Sequence, residues 1–362
     1  MSKRAAYSRP TYAEVSAELF LSNLNYLRSK LNNEFFCPMI KANAYGHGDQ
    51  LIARLAQMYG VEHLGVGTLE EGIQVRESGF AGEVLIFAAN YRNAMPLINK
   101  YNLRPVVSSF DHVEELNDIA VHIELNTAMH RMGFSLNEVE QIKHAMQQAK
   151  LEVIGIMTHF SNGMNIIKEN SSAQRQMHVF KEFVSKHFSE VQFKHIHNSD
   201  ANLASAGPLE FGARPGIALY GYSAKRNENI KPIMRLKTHI VKINTVKEGE
   251  GVSYGPIWRA KRDSKIAVLP IGYADGLRRS LSGQYQFKCN GQMISQVGLV
   301  CMDYCMVDIT KLQGIDIGQE IVIFGEDKEM VYQQAKLAKT IPYEVLTAIS
   351  DRVPRILVEK FI

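Results

Sequence analysis

The sequence predicts an α/β protein in which a parallel (β/α)8 barrel is followed by a smaller, mostly-β C-terminal domain. Three observations point there. From residue 35 to about residue 222, short apolar runs alternate with amphipathic stretches, as strands separated by helices do. Beyond about Lys231 the runs are short and divided by turn residues, the pattern of antiparallel β-structure. A chain of 362 residues, 46% of them hydrophobic, is too long for one small domain and can bury a large core. A doubly wound sheet shows the same alternation, so the pattern alone leaves both α/β architectures open.

In chain order the candidate barrel strands are residues 35–40, 63–66, 84–88, 104–107, 119–125, 153–157, 194–197 and 213–219. The first ends in Lys41, and the small residues and glycines after it read as the opening of a helix. Thr68-Leu69-Glu70-Glu71 is a capping box ahead of a helix that ends near Gly79, and residues 137–150 are rich in helix formers. In the second part the candidate strands are 236–243, 266–270, 286–289, 293–300, 306–309 and 320–324, with one helical stretch at 331–339. No internal repeat or low-complexity linker stands out. Residues 227–231 form the expected joint, giving domains 1–230 and 231–362.

The balance of 41 Lys and Arg against 37 Asp and Glu leaves a net charge of +4, with both signs scattered. That excludes a nucleic-acid or anionic-membrane partner as the expectation. The first ten residues are basic but lead into no apolar segment, and no stretch is long and apolar enough to cross a bilayer. A cytoplasmic protein is expected. Cys37, Cys289, Cys301 and Cys305 make neither a disulfide framework nor paired CxxC spacing. Cys301 and Cys305, inside the apolar run 297–307, read as buried free thiols, and no metal site is expected.

In a barrel, side chains just after each strand converge on one rim. Lys41 and Tyr45 follow the first strand, Arg131 the fifth, His159 the sixth, and Asn198 and Ser199 the seventh, while Arg214 to Ile217 lie in the eighth. A lysine where a buried strand leaves the core loses hydration, which lowers its pKa and makes it a nucleophile toward aldehydes. The plain alternative is a lysine snorkelling at a strand end. In Arg214-Pro215-Gly216-Ile217 a Pro-Gly turn frees backbone N–H groups to face an anion, and Ser199 reads as a helix cap. An ordinary turn is again the alternative, as is a structural role for His159 and a surface position for Tyr254 in Gly251-Val252-Ser253-Tyr254-Gly255.

The string Lys41-Ala42-Asn43-Ala44-Tyr45-Gly46-His47-Gly48 resembles the pyridoxal-phosphate lysine motif of alanine racemases. Three more segments match in order: Arg214 to Gly221, Pro270 to Leu277, and Val300-Cys301-Met302-Asp303. The resemblance covers nearly the whole chain and implies a TIM barrel plus β domain, with pyridoxal 5'-phosphate as cofactor. It implies that Ser199, Gly216 and Ile217 hold the cofactor phosphate with Tyr45, and that Asn198 belongs to the same contacts. Arg214 meets the pyridine nitrogen, and His159 links Arg214 to Tyr254. Arg131 meets the cofactor's phenolic oxygen and the substrate. Lys41 and Tyr254 are then two bases on opposite faces of Cα, Tyr254 coming from the partner subunit of a homodimer. Met302, Asp303 and Tyr273 lie toward the substrate. The implied activity is interconversion of L- and D-alanine, which supplies D-alanine for peptidoglycan. A broad-range amino-acid racemase is the nearest alternative. A cofactor-carrying barrel protein would lack the second domain, and an acidic partner at the ring nitrogen would suggest a decarboxylase.

The chain departs from the family pattern in two places. Seven residues before the arginine, where the family often has a carbamylated lysine, stands Glu124. It restores the negative charge without CO2 but is shorter by roughly 3–4 Å. Asp351 stands where some members place a phosphate-binding tyrosine, and an aspartate there would repel a phosphate. Leu299 and Tyr304 also replace polar residues common beside the Cys-Met-Asp core, which bears on substrate range.

Overall fold

A computed structural model describes residues 9–32, 35–205 and 207–361. The chain divides into two compact units, Phe20–Ile230, and Lys231–Ile362 together with the residues up to Leu19. The expected first domain, 1–230, is therefore corrected at its N-terminal end. The reason is strand β1 (Tyr12–Ser16), which takes both its neighbours from strands beyond residue 231.

In the first unit, β2 (His63–Val66), β3 (Glu83–Ile86), β4 (Leu103–Val107), β5 (Ala120–Glu124), β6 (Glu152–Met157), β7 (Phe193–His197) and β8 (Gly212–Ala213) pair in parallel in sequence order. Residues 35–40 close this sheet. Phe36 bridges to Ala213 and Met39 to Gly65, with Cys37 N–H donating to Ala213 O at 2.9 Å and Ile40 N–H to Gly65 O at 2.8 Å. Joining both edges through one segment makes a barrel and not a doubly wound sheet. The segment makes isolated bridges instead of the regular strand expected, because Pro38 has no N–H to give the ladder. Phe35, Cys37, Leu85, Val106 and Met157 pack together as a buried cluster of the barrel.

Two more expectations change here. The eighth run stops at Ala213, so Arg214 to Ile217 follow the strand instead of lying in it, and Ile217–Tyr220 forms a 3-10 turn. After Lys41 the chain does not begin an ordinary helix. Ala42, Asn43, Ala44 and Tyr45 all have φ of +52° to +53°, a left-handed turn, and the right-handed helix starts only at Asp49–Met58. The helix Leu69–Glu77 does carry the expected cap, with Thr68 accepting from Glu71 N–H.

The second unit adds β9 (Met234–His239), β10 (Lys242–Val246), β11 (Ser264–Leu269), β12 (Gln286–Cys289), β13 (Gln292–Val297), β14 (Cys305–Asp308), β15 (Glu320–Phe324) and β16 (Arg355–Val358). Their order is β10-β11-β14-β13-β12-β15-β9-β1-β16, antiparallel except for β1 with β16. The run 236–243 is two strands, broken where Ile240 N–H turns to Gln319 O. The run 293–300 ends at Val297, before Gly298 at φ +70°. The helix runs over Glu329–Leu337.

Candidate active site

Lys41 stands at the start of the left-handed turn, on the rim where the barrel strands end. L-residues avoid this conformation because Cβ crowds the following carbonyl. Its backbone groups are accordingly tied down: Ala44 N–H donates to Ile40 O at 2.8 Å, Asp49 N–H to Asn43 Oδ1 at 2.9 Å, and Ala42 N–H to Glu71 Oε1 at 2.6 Å. The other oxygen of Glu71 accepts from Gly67 N–H at 2.6 Å. Lys41 is exposed to solvent at this rim. Loss of hydration, followed by the charges of Arg131 and Arg214, lowers its pKa, and Glu71 opposes them.

Arg214 is buried in the barrel mouth with its donors assigned. Nη1 faces His195 Nδ1 at 2.7 Å and donates to His195 O at 2.9 Å; Nη2 donates to Thr158 O at 2.9 Å and faces His159 Nδ1 at 3.4 Å. Among the described residues its Nε–H takes no hydrogen bond. Burial lowers its pKa to about 10, which still leaves a cation at neutral pH. Burial, then the charge of Arg214, holds His159 down at about 3, so this ring is neutral and its Nδ1 accepts.

Beside Arg214, Ser199 Oγ accepts from Gly216 N–H at 2.9 Å and Ala218 N–H at 3.2 Å. Ser199 is not the helix cap that was expected. Asn198 takes that place, its side chain accepting from Ala201 N–H at 3.1 Å, which frees the Ser199 hydroxyl for the Gly216 turn. Tyr45 closes the cradle. A Cβ at Gly216 would lie 2.1 Å from the Tyr45 hydroxyl, so only glycine lets the two meet. Ile217 is buried next to them.

Arg131 rides on the loop after β5, which is pinned where Leu125 and Phe134 bridge and where His130 N–H donates to Asn126 Oδ1 at 3.1 Å. Gln176 ties this loop to the next, its Nε2 donating to Thr127 Oγ1 and His159 O, both at 3.2 Å. Glu124 is buried, and lost hydration raises its pKa against the pull of Arg214, Arg131 and His112. It makes no side-chain hydrogen bond to Arg131 among the described residues, and its first-ranking charge partner is Arg214.

These groups fit a phosphate-bearing aldehyde with a basic ring nitrogen. An amine with depressed pKa, a guanidinium with a spare N–H, and a glycine turn beside a serine and a tyrosine all occupy the mouth of one barrel.

In the second unit, three segments meet on one face. Tyr273 N–H donates to Cys301 O at 3.0 Å and Ala274 N–H to Met302 O at 3.1 Å. A Cβ at Gly272 would lie 2.2 Å from Met302 O. Ser253 Oγ donates to Leu299 O at 2.8 Å, which draws the Tyr254 segment to the same strip. Tyr254 is 73% exposed and Met302 53%, with Tyr273 and Tyr304 also at the surface. Underneath, the buried Asp275 accepts from Arg9 Nη1 at 2.8 Å, Arg9 Nη2 at 2.9 Å and Gly272 N–H at 2.9 Å. Arg352 donates to Asp303 Oδ1 at 2.6 Å. Cys37, Cys289 and Cys305 are buried free thiols, whereas Cys301 is half-buried beside Ser253. Asp351 is exposed.

Sequence reasoning missed Glu71, His122, His195, Gln176, Arg9 and Asp275. Only Glu71 had a usable signal: it occupies the capping-box position, yet its carboxylate serves Gly67 and Ala42 instead of its own cap.

Residues 15–224 match the family model of the alanine racemase N-terminal domain and residues 233–357 that of the alanine racemase C-terminal domain. Alanine racemase 1 of Clostridium acetobutylicum is 35% identical over 97% of this chain and 96% of its own. The solved alanine racemase of Clostridium difficile 630 superposes with a TM-score of 0.89 at 29% identity, covering 97% of this chain and 96% of that one. That of Bacillus anthracis, with bound L-Ala-P, superposes at 0.87 and 27% identity, covering 98% and 97%. With both halves matched in order and over nearly their full extent, the chain belongs to the alanine racemase family.

Proposed function

We infer that this chain interconverts L-alanine and D-alanine with pyridoxal 5'-phosphate, as a cytoplasmic homodimer whose sites are shared between subunits. The observation that carries this is Arg214: a buried, fixed cation at the barrel mouth with one N–H to spare, facing the same rim as a lysine of lowered pKa. When bound, the cofactor supplies an aldehyde that condenses with amines and a ring that draws electrons from Cα. Ser199, Asn198, Gly216, Ile217 and Tyr45 would hold its phosphate, and Arg131 its phenolic oxygen. Arg214 would donate to the ring nitrogen and, as a permanent cation, disfavour a proton there, which would weaken electron withdrawal and suppress transamination.

Lys41, with its lowered pKa, gives up and takes back a proton on one face of Cα. Tyr254 of the second copy serves the other face, removing the proton of the L-isomer while Lys41 removes that of the D-isomer. Met302, Asp303 and Tyr273 of the second copy would limit the substrate. The exposure of Tyr254, Tyr273 and Met302 on one face of the β unit supports their use in trans. L-Ala-P, bound by the Bacillus anthracis relative, is an amino-acid substrate analogue and favours this substrate class.

Chiral analysis of pure L-alanine incubated with the protein and pyridoxal phosphate tests the proposal. Approach to an equal mixture, lost in Lys41→Ala, is expected. A bound chromophore without D-alanine would assign another amino acid or cofactor binding alone.

A further inference from the structure

Two histidines that the chemistry above does not use lie end to end behind Arg214. His195 Nδ1 faces Arg214 Nη1 at 2.7 Å, and His195 Nε2 faces His122 Nδ1 at 2.8 Å. Both rings are fully buried. The direction of every proton in this chain follows from one fact: a guanidinium donates and never accepts. His195 Nδ1 must therefore accept. Its own proton sits on Nε2 and points at His122 Nδ1, which accepts in turn. The proton of His122 is then on Nε2, and that atom is buried with no hydrogen-bond partner among the described residues. Buried polar atoms without a partner are uncommon and destabilising.

The fold keeps this orphan in place by other means. Phe35 and Phe193 pack against the His122 ring, with centroids 5.4 and 5.9 Å away. Gly155 in the middle of β6 makes room, since a Cβ there would lie 2.0 Å from His122 Nδ1. Burial and the charges of His63, Arg104 and Arg214 keep His122 neutral, with its pKa near 3, and His195 is pushed well below the usual range for the same leading reason. Both rings therefore stay neutral beside the Arg214 cation.

We propose that His122 is a positioning residue for Arg214: the tautomer that Arg214 demands of His195 puts a proton on Nε2, and by accepting that Nε2–H at 2.8 Å His122 lets the ring stay in place against Arg214 Nη1. The backbone carbonyls of His195 and Thr158 hold the guanidinium plane, but the His195 ring contact is the one that a tautomer change would turn from attraction into N–H against N–H. The consequence for reaction specificity rests on the proposed pairing of Arg214 with the cofactor's ring nitrogen; the tautomer does not.

The test has two arms. In the wild-type protein without cofactor, imidazole 15N spectra should show His195 protonated at Nε2 and His122 at Nε2. His122→Leu leaves the buried His195 Nε2–H without a partner, so the ring should lose its fixed place against Arg214 and its 15N shifts should move; His122→Gln, whose amide oxygen can accept, should restore them. With excess pyridoxal phosphate, pyruvate released per racemisation event, each leaving its amino group on the cofactor as pyridoxamine phosphate, should rise on the order of tenfold in His122→Leu, the effect of losing one buried hydrogen bond. It should return in His122→Gln, with KM for alanine unchanged in both. A wild-type His195 protonated at Nδ1 overturns the proposal, as does an unchanged pyruvate ratio in a variant whose His195 shifts have moved. If His122→Leu does not fold, the wild-type and His122→Gln spectra still decide. Absence of racemase activity would sink the proposed function while leaving the tautomer arm to stand or fall alone.

Discussion

Glu71→Gln probes how the turn carrying Lys41 is held. Four consecutive left-handed residues, Ala42 to Tyr45, cost about 1–2 kcal/mol each, so the turn stores roughly 4–8 kcal/mol. The two oxygens of Glu71 accept Ala42 N–H and Gly67 N–H at 2.6 Å each, and hydrogen bonds to a charged group contribute about 1.5–3 kcal/mol apiece. Together they are comparable with the strain. Glutamine keeps one accepting oxygen but turns an NH2 toward the second N–H. The Ala42 bond is exposed to solvent, which discounts the loss to about 1.5–3 kcal/mol in all. Urea unfolding of the cofactor-free protein measures it.

The same substitution has an electrostatic effect with a definite sign. Glu71 raises the pKa of Lys41 against burial, Arg131 and Arg214. Removing its charge lowers that pKa further, so the pH dependence of Lys41 modification by an amine-selective acylating reagent should move to lower pH. A stability loss below about 0.5 kcal/mol would refute the claim that this carboxylate offsets the strain. A shift to higher pH would refute the electrostatic half.

Gly216→Ala places a methyl 2.1 Å from the hydroxyl of Tyr45, whose ring is held 4.9 Å from that of Tyr220. A fluorescence titration should show pyridoxal phosphate bound about tenfold more weakly, with about 1–3 kcal/mol lost from the fold by overpacking; unaltered affinity would remove Gly216 from the cradle. Glu124 is a carboxyl group whose ionised form Arg214 and Arg131 favour against burial, and it needs no carbamylation, so racemase activity should be the same in CO2-free buffer as in air. Activity that collapses there and returns with bicarbonate would contradict this. His122 and His159 near 3 and His197 near 4 are all depressed from an unfolded value of about 6.5. Below that value the unfolded chain binds more protons, so stability is complete above about pH 6.5 and falls with acidification toward pH 4, by at most about 4 kcal/mol per pH unit for the three rings. Urea midpoints that stay flat from pH 7 to pH 5 would show that these rings are protonated in the native state.

What could be read from the sequence was the chemistry of the rim. Lys41, Arg214 and the Gly216 turn announce themselves because their residue types are wrong for a strand end unless they are used. The barrel strands were legible through apolar runs, but their ends were not: Pro38 and Pro215 each break a ladder that hydropathy continues. Strand β1 was invisible as part of the β unit because its partners lie more than two hundred residues away. The left-handed turn was unreadable for a different reason. Alanine, asparagine and tyrosine suit an ordinary helix, and what overrides them is a carboxylate from a distant capping box. Likewise His122 and His195 look like strand residues of no particular note until their rings meet across the barrel.

The supporting residues follow one rule in both units. At the barrel rim, the carboxylate of Glu71 accepts two backbone N–H groups around Lys41; in the β unit, the carboxylate of Asp275 accepts Gly272 N–H and both arms of Arg9 beneath Tyr273. In each case the side chain expected to act is partly open to solvent and contributes little to packing, while a neighbouring carboxylate carries the cost of holding its loop. Replacing Lys41 or Tyr254 should therefore abolish turnover and leave the fold intact, whereas replacing Glu71 or Asp275 should disturb the fold first and turnover through it. Asp275 is the more severe of the two, because its side chain is wholly buried and its loss leaves the Arg9 guanidinium without its counter-charge, held only by the Pro270 carbonyl.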